Sequence, residues 1–258
     1  MDYTVAAVDR ALRLLETVAE NPDIGLTELA RRTGTTKTLA FRMASTLEGR
    51  GYLLKDPTSR SYTLGYKALY LSERMQHESH LLRVAEPFLD DLAQRTRENV
   101  SLTVREGDHT VCLALRQSPQ PIRLYAEIGR QGPLHVGGGP KLMLAYAPEE
   151  VQAALLAGKL ESFTPETIVD PKRLRALLQR IREQGYNVSH GDLDPGAFSV
   201  AAPLRDHAGR VVAAISVAGP QSRLTEDLEK LYLRMLLDVA EDISARLGAR
   251  QEELAVSA

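Results

Sequence analysis

The sequence predicts an α+β protein, and three observations carry that prediction. Short helical periods followed by a hairpin fill residues 1–65, the apolar pattern switches to period two at Val100, and two long helices with recognisable caps lie towards the C-terminus. A chain of 258 residues exceeds the usual single-domain size, so two cores are expected. With 43% apolar and 26% charged residues it has the balance of a globular chain, neither disordered nor fibrous.

The first helix is expected over Val5–Ala19, where Val5, Val8, Leu12, Leu15 and Ala19 recur by threes and fours on one stripe. Asn21-Pro22 stops it. In LTELARRTG a second helix of two turns is expected, with Thr27 as its cap, Leu29, Ala30 and Thr33 inward, and Gly34 as a left-handed stop. A turn of about three residues, the spacing of helix-turn-helix units, leads to a third helix capped by Thr35 or Thr36. At 100° per residue, Leu39, Ala40, Met43 and Leu47 fall on one side of it and Lys37, Thr38, Phe41, Arg42 and Ser45 on the other. Gly51 ends this helix, and strands at Tyr52–Lys55 and Ser61–Leu64 flank an Asp-Pro-Thr-Ser turn. The order of these elements is that of a winged helix-turn-helix, over residues 1–65.

A net charge of −2 excludes a protein that is basic all over, so any nucleic-acid binding must rest on a local patch. Arg31, Arg32, Lys37, Arg42, Arg50, Lys55 and Arg60 supply one, against only Glu48 and Asp56 in the same segment. On the third helix the hydroxyls of Thr36, Thr38 and Ser45 suit phosphate oxygens or base edges, Lys37 and Arg42 suit phosphates, and Phe41 suits a thymine methyl. Arg31, Lys55 and Arg60 flank them. These nine residues are the candidate DNA contacts.

Residues 66–80 read as a helical linker and 81–250 as a second domain, with 251–258 as a tail. Pro87 marks a helix start or a kink. Strands are expected in VSLTV, VCLAL and IRLYA, then at Tyr186–Ser189, Phe198–Leu204 and Arg210–Ala218. Helices are expected at Pro171–Gln184, between Asp170 and Gly185, and at Glu226–Leu247, capped by Thr225. The lone cysteine, Cys112, can form neither an internal disulfide nor a Cys-based metal motif and reads as a small buried hydrophobe. No apolar run approaches the length of a bilayer span, so a cytoplasmic protein with no membrane partner is expected.

Two stretches of the second domain could contact a small molecule. Gly137-Gly138-Gly139-Pro140-Lys141 lets backbone N–H groups approach a ligand ahead of a helix, with Pro140 at its first position, which suits a carboxylate. From Ser189 to Ser216, Asp192 lies in a loop while Ser199 and Ser216 interrupt aliphatic strands. No ligand spacing for a metal occurs, and no cofactor motif is present.

Taken in order, AVDRALRLLETVAE, LTELARRTGTTKTLAFRMASTLEGRGYL, GRQGPLHVGGGPKLMLA, REQGYNV, GAFSVAAPLRDHAGRVVAAISVAGP and the final helix resemble the IclR family of bacterial transcription factors over nearly the whole chain. The resemblance implies a winged helix-turn-helix followed by a GAF-like mixed α/β effector-binding domain. It implies that Ser189, Ser199 and Ser216 face an effector, and that His135 matches a family histidine, to which a structural role bonded to backbone is assigned. The implied partners are a double-stranded DNA operator, a small organic acid, and the chain itself as a dimer or dimer of dimers. A repressor or dual regulator is implied, and no catalytic residues. Gly139 and Pro140 depart from the family's Leu-Gly, and Ala218 from its serine. The candidate effector contacts are therefore His135, Gly137, Gly138, Gly139, Ser189, Asp192, Ser199 and Ser216. An enzyme using His135, Asp192 and Ser199, or a winged module that binds only protein, are the alternatives.

Overall fold

A computed structural model describes residues 3–249. The expected tail at 251–258 lies outside the described residues. The chain divides into two compact units, Met1–Ser79 and His80–Ala258.

In the first unit, α1 (Ala6–Glu20), α2 (Leu26–Arg32) and α3 (Lys37–Gly49) enclose a core of Leu14, Val18, Leu29, Ala40, Met43, Ala44, Leu53 and Tyr62. Three short antiparallel strands, β1 (Ile24–Gly25), β2 (Leu53–Lys55) and β3 (Ser61–Leu64), pair in the order β1-β3-β2. The pairing of Gly25 with Ser61 explains why Thr27 is not the cap of α2. The backbone is committed to a sheet up to Gly25, and the helix begins at the next residue. The α1 stripe is also corrected. Leu14 and Val18 face the core with Ala11 and Leu15 partly buried, while Val5, Val8 and Leu12 are exposed. For α3 the cap is Thr36, whose hydroxyl accepts the Leu39 N–H at 3.2 Å. The stretch read as a linker forms α4 (Tyr66–Glu78), none of whose residues is buried.

The second unit opens with α5 (His80–Thr96), which runs through Pro87 rather than starting there. Strands β4 (Asn99–Glu106), β5 (His109–Arg116), β6 (Gln131–Pro133), β7 (Asn187–His190), β8 (Ala197–Arg205) and β9 (Val211–Pro220) form one antiparallel sheet in the order β6-β5-β4-β9-β8-β7. IRLYA, residues 122–126, is not a strand. Its alternation reflects a loop that turns Leu124 and Ala126 inward and leaves Ile122 and Tyr125 exposed, and the strand pairing with β5 is β6 instead.

Period-two alternation gives the sheet two chemically different faces. Val100, Leu102, Phe198, Val200, Ile215 and Val217 pack against α5 and α9 (Glu226–Arg246). Ala201 and Ala214, on the other face, pack with α6 (Gly138–Ala145) and α8 (Pro171–Gln184). A short helix α7 (Glu149–Ala157) adjoins them. For α8 the expected caps hold: Asp170 accepts the Lys172 and Arg173 N–H groups at 2.8 and 2.9 Å, and Gly185 is left-handed at φ +77°. Thr225 caps α9 through the Leu228 N–H at 3.2 Å. No helix among the described residues is long and apolar enough to cross a membrane.

Candidate functional site

On the first unit, the basic segment resolves into side chains with different commitments. Thr36, Lys37, Thr38, Phe41 and Arg42 are exposed on or at the start of α3, Ser45 is half-buried, and Arg60 is exposed beside the β2–β3 turn. Among the described residues neither Lys37 nor Arg42 is held in an ion pair. Arg31 is engaged: its Nη2 and Nε donate to Glu28 at 2.5 and 2.7 Å, and Arg32 Nε joins them at 2.8 Å. Those bonds, that of Arg31 first, hold the Glu28 carboxyl down to about 2. Lys55 is half-buried, with Nζ 5.7 Å from the Phe41 ring centre and 5.6 Å from that of Tyr62.

In the second unit, a cavity of about 630 Å³ opens beside the first turn of α6, a size within the range of small-molecule sites. The hydroxyl-bearing face of the sheet makes its floor: Ser101 and Thr103 from β4, Ser199 from β8 and Ser216 from β9. Only short side chains stand there, which is what leaves the volume open. The Ser101 and Ser216 hydroxyls are 2.9 Å apart and hydrogen-bonded. Gly137, Gly138 and Gly139 form one wall. Gly137 is the α6 cap at φ +81°, in the left-handed region that favours glycine. A Cβ on Gly138 would stand 2.4 Å from Ser199 Oγ and 3.0 Å from the Ser199 carbonyl oxygen, so only glycine fits. Pro140 occupies the third position of α6, not the first. Its missing N–H belongs to the turn whose amides an α-helix leaves unpaired, which is why proline is tolerated.

Asp192 and Ser189 line the cavity with their polar groups already engaged. Lys141, only 4% exposed, places Nζ 2.5 Å from Asp192 Oδ2 and 3.3 Å from Ser189 Oγ. The Ser189 hydroxyl donates to Asp192 Oδ1, which also takes the Gly137 N–H at 3.1 Å. The loop carrying Asp192 is tied down by Thr164 and Thr167, whose hydroxyls donate to the Gly191 and Asp192 carbonyls at 2.7 Å each. Lys141 and Asp192 are buried together and offset each other's charge. Gly138 and Gly139 carry first-turn amides, which an α-helix leaves without an intrahelical partner.

His135 is not on the cavity wall. It is 5% exposed, its Nε2 lies 2.8 Å from the Glu161 carbonyl oxygen, and its ring is 6.0 Å from that of Phe163. Since Glu161 and Phe163 do line the cavity, His135 supports the wall from behind. Cys112 is half-buried on the wall rather than in a core, and burial pushes its thiol up. Sequence reasoning missed Ser101, Thr103 and Arg130, which also line the cavity. For the first two a signal existed, since each alternates with the aliphatic residues of VSLTV on the period-two face opposite them. For Arg130, in the loop before β6, none did. Among the described residues no three His, Cys, Asp or Glu side chains gather as a metal site.

Comparison with known proteins gives two family matches. Residues 7–57 match the IclR helix-turn-helix domain, and residues 74–245 match the C-terminal domain of the bacterial transcriptional regulator IclR. The chain is 32% identical over 242 residues to the HTH-type transcriptional regulator KipR of Bacillus subtilis, covering 93% of this chain and 96% of that one. Among solved structures, an IclR transcriptional regulator from Alicyclobacillus acidocaldarius superposes with a TM-score of 0.86 at 29% identity, over 95% of this chain and 100% of that one. An IclR homologue from Microbacterium hydrocarbonoxydans, complexed with 4-hydroxybenzoate, gives 0.82 at 26% identity, over 93% and 98% of the two chains.

Proposed function

The chain belongs to the IclR family of bacterial transcriptional regulators, and from that premise we propose that its affinity for a near-palindromic operator is set by a small organic acid bound in the second unit. Its relatives are DNA-binding regulators and not enzymes. The arrangement of side chains agrees: His135 Nε2 is bonded to a backbone carbonyl and Asp192 to a lysine, so neither is poised to activate Ser199. On the DNA side, α3 enters the major groove with Thr36, Lys37, Thr38, Phe41, Arg42 and Ser45 towards the duplex. Arg31, Lys55 and Arg60 flank it. The regulator acts in the cytoplasm as a repressor or dual regulator, and two copies pair through the exposed Val5, Val8 and Leu12 of α1, with dimers of dimers as the larger assembly.

The observation that carries the effector reading is the cavity itself, floored by hydroxyls and edged by the unpaired first-turn amides of α6. A carboxylate there accepts hydrogen bonds from the Gly138 and Gly139 N–H groups and from Ser199, at the positive end of a helix dipole. The bound 4-hydroxybenzoate of the Microbacterium homologue supports the same ligand class. Leu115, Leu124 and Phe163 give the cavity an apolar side, which suits the hydrocarbon part of such an acid. Binding changes DNA affinity only by the ratio of effector affinities in the two DNA-binding states.

Thermal unfolding of the full chain against a panel of aliphatic and aromatic carboxylates, 4-hydroxybenzoate included, tests this reading. An acid at a hundred times its Kd stabilises the folded unit by about 2.7 kcal/mol, a rise in midpoint on the order of 5–10 °C. The same acid should alter affinity for a bound duplex. No rise with any acid excludes the carboxylate class and leaves the DNA-binding function standing.

A further inference from the structure

We infer that Phe41 is the side chain through which α3 recognises a particular base, packing its ring against a thymine C5-methyl, and that Lys55 holds that ring in place rather than contacting phosphate. The inference rests on the placing of α3 in the major groove proposed above.

Among the described residues of α3, Phe41 is the only large apolar side chain that is exposed, at 47%. Its neighbours on the outward face, Lys37, Thr38 and Arg42, are polar and can bond phosphates or the polar edges of bases. A phenyl ring has no hydrogen bond to offer. In the major groove the apolar feature that distinguishes one base from the other three is the thymine methyl.

The ring is also held before any DNA arrives. Lys55 on β2 lies between two aromatic faces, 5.7 Å from the centre of Phe41 and 5.6 Å from that of Tyr62. Tyr62 is buried in the domain core, and among the described residues its hydroxyl has no hydrogen-bond partner, so Lys55 is drawn to the ring and not to its oxygen. Unlike the exposed Lys37, Arg42 and Arg60, Lys55 is half-buried, with its ammonium within about 6 Å of both ring centres. A cation bridging the wing and α3 restricts the rotamers of Phe41, and that restriction lowers the entropy lost when the ring packs against a base.

Duplexes selected from a randomised library by the full-length protein provide the probe, and each thymine of the selected half-site is replaced in turn by deoxyuridine. At one position per half-site the wild type should lose about three- to fivefold in affinity when the methyl is removed, the effect of one buried methyl group. Phe41→Ala should bind both duplexes alike, and Phe41→Leu should retain part of the preference. Since Phe41 is exposed, both variants should unfold at the wild-type midpoint. Lys55→Gln should lower the thymine-to-uracil ratio and leave the slope of log Kobs against log salt unchanged. An unaltered ratio in Phe41→Ala overturns the role of Phe41. A slope reduced by about one with an unaltered ratio in Lys55→Gln makes Lys55 a phosphate contact. Failure to select any duplex removes the DNA-binding reading itself, an outcome distinct from both.

Discussion

Arg31 and Arg42 bear the same charge on successive helices, yet Arg31 is forked onto Glu28 while Arg42 has no ion-pair partner among the described residues. The sequence counted both as DNA contacts, because charge composition does not reveal an i, i+3 pair's geometry. Glu28 therefore masks part of the basic surface. Replacing Glu28 with Gln should release Arg31 and Arg32, raise non-specific DNA affinity about two- to fivefold and steepen the salt slope by up to about one, measured by fluorescence anisotropy. The pH dependence has a definite sign. With the carboxyl at about 2 when folded and near its ordinary value of 4.5 when unfolded, the pair contributes fully above 4.5 and is lost as pH falls through 2. Glu28→Gln should flatten the stability profile in that window and leave it unchanged between pH 6 and 8. Lys141 behaves differently because it is buried. Lys141→Met should lower stability by about 3–5 kcal/mol by leaving Asp192 uncompensated, and adding Asp192→Leu should restore part of it in a denaturant titration. His135 is bonded to backbone, as its expected structural role required, but its partner, the Glu161 carbonyl, is distant in the chain and no local pattern encodes that choice.

Elements that announce themselves through caps were legible. Asp170-Pro171 and Gly185 bound α8, Thr225 starts α9, and Thr36 starts α3, each by a side chain or backbone conformation that acts within a few residues. Elements defined by what they pack against were legible only in part or not at all. The start of α6 was signalled by its glycines and Pro140, two residues late, but its extent was not, because the helix is buried along nearly its whole length and shows no polar face and no period. Strand β1 is two residues long and exists only because β3 pairs with it. IRLYA had the right alternation, but its inward side faces the cavity instead of a neighbouring strand. The contact between α6 and β8 is the most closely fitted of the site, and Gly138→Ala tests it. A methyl group cannot enter without displacing Ser199, whose backbone as well as side chain is in the way. The substitution should cost about 1–3 kcal/mol and lower the midpoint of the second unit by several degrees, together with loss of any effector-induced rise.

At the scale of the whole molecule, the two units divide the work: the first carries the exposed cations of α3 and the second the cavity. The sequence placed the start of the second domain at residue 81, after the helical linker, next to the observed division after Ser79. A net charge of −2 becomes compatible with DNA binding because seven basic residues stand against only two acidic ones over residues 31–60. Val5, just before α1, and Val8 and Leu12 on it are more than half exposed, an apolar stripe that the first unit's own core does not use. Val8→Asp with Leu12→Asp should shift the mass measured by light scattering towards the monomer and weaken binding to a two-half-site duplex far more than to a single half-site. The central claim, that α3 brings this regulator to DNA, is tested most directly by the salt dependence of duplex affinity for the wild type and Arg42→Ala. The wild type should show a steep fall of log Kobs with log salt, and the variant should bind more weakly with a slope shallower by about one per half-site. An Arg42→Ala protein with wild-type affinity and an unchanged slope would contradict the account.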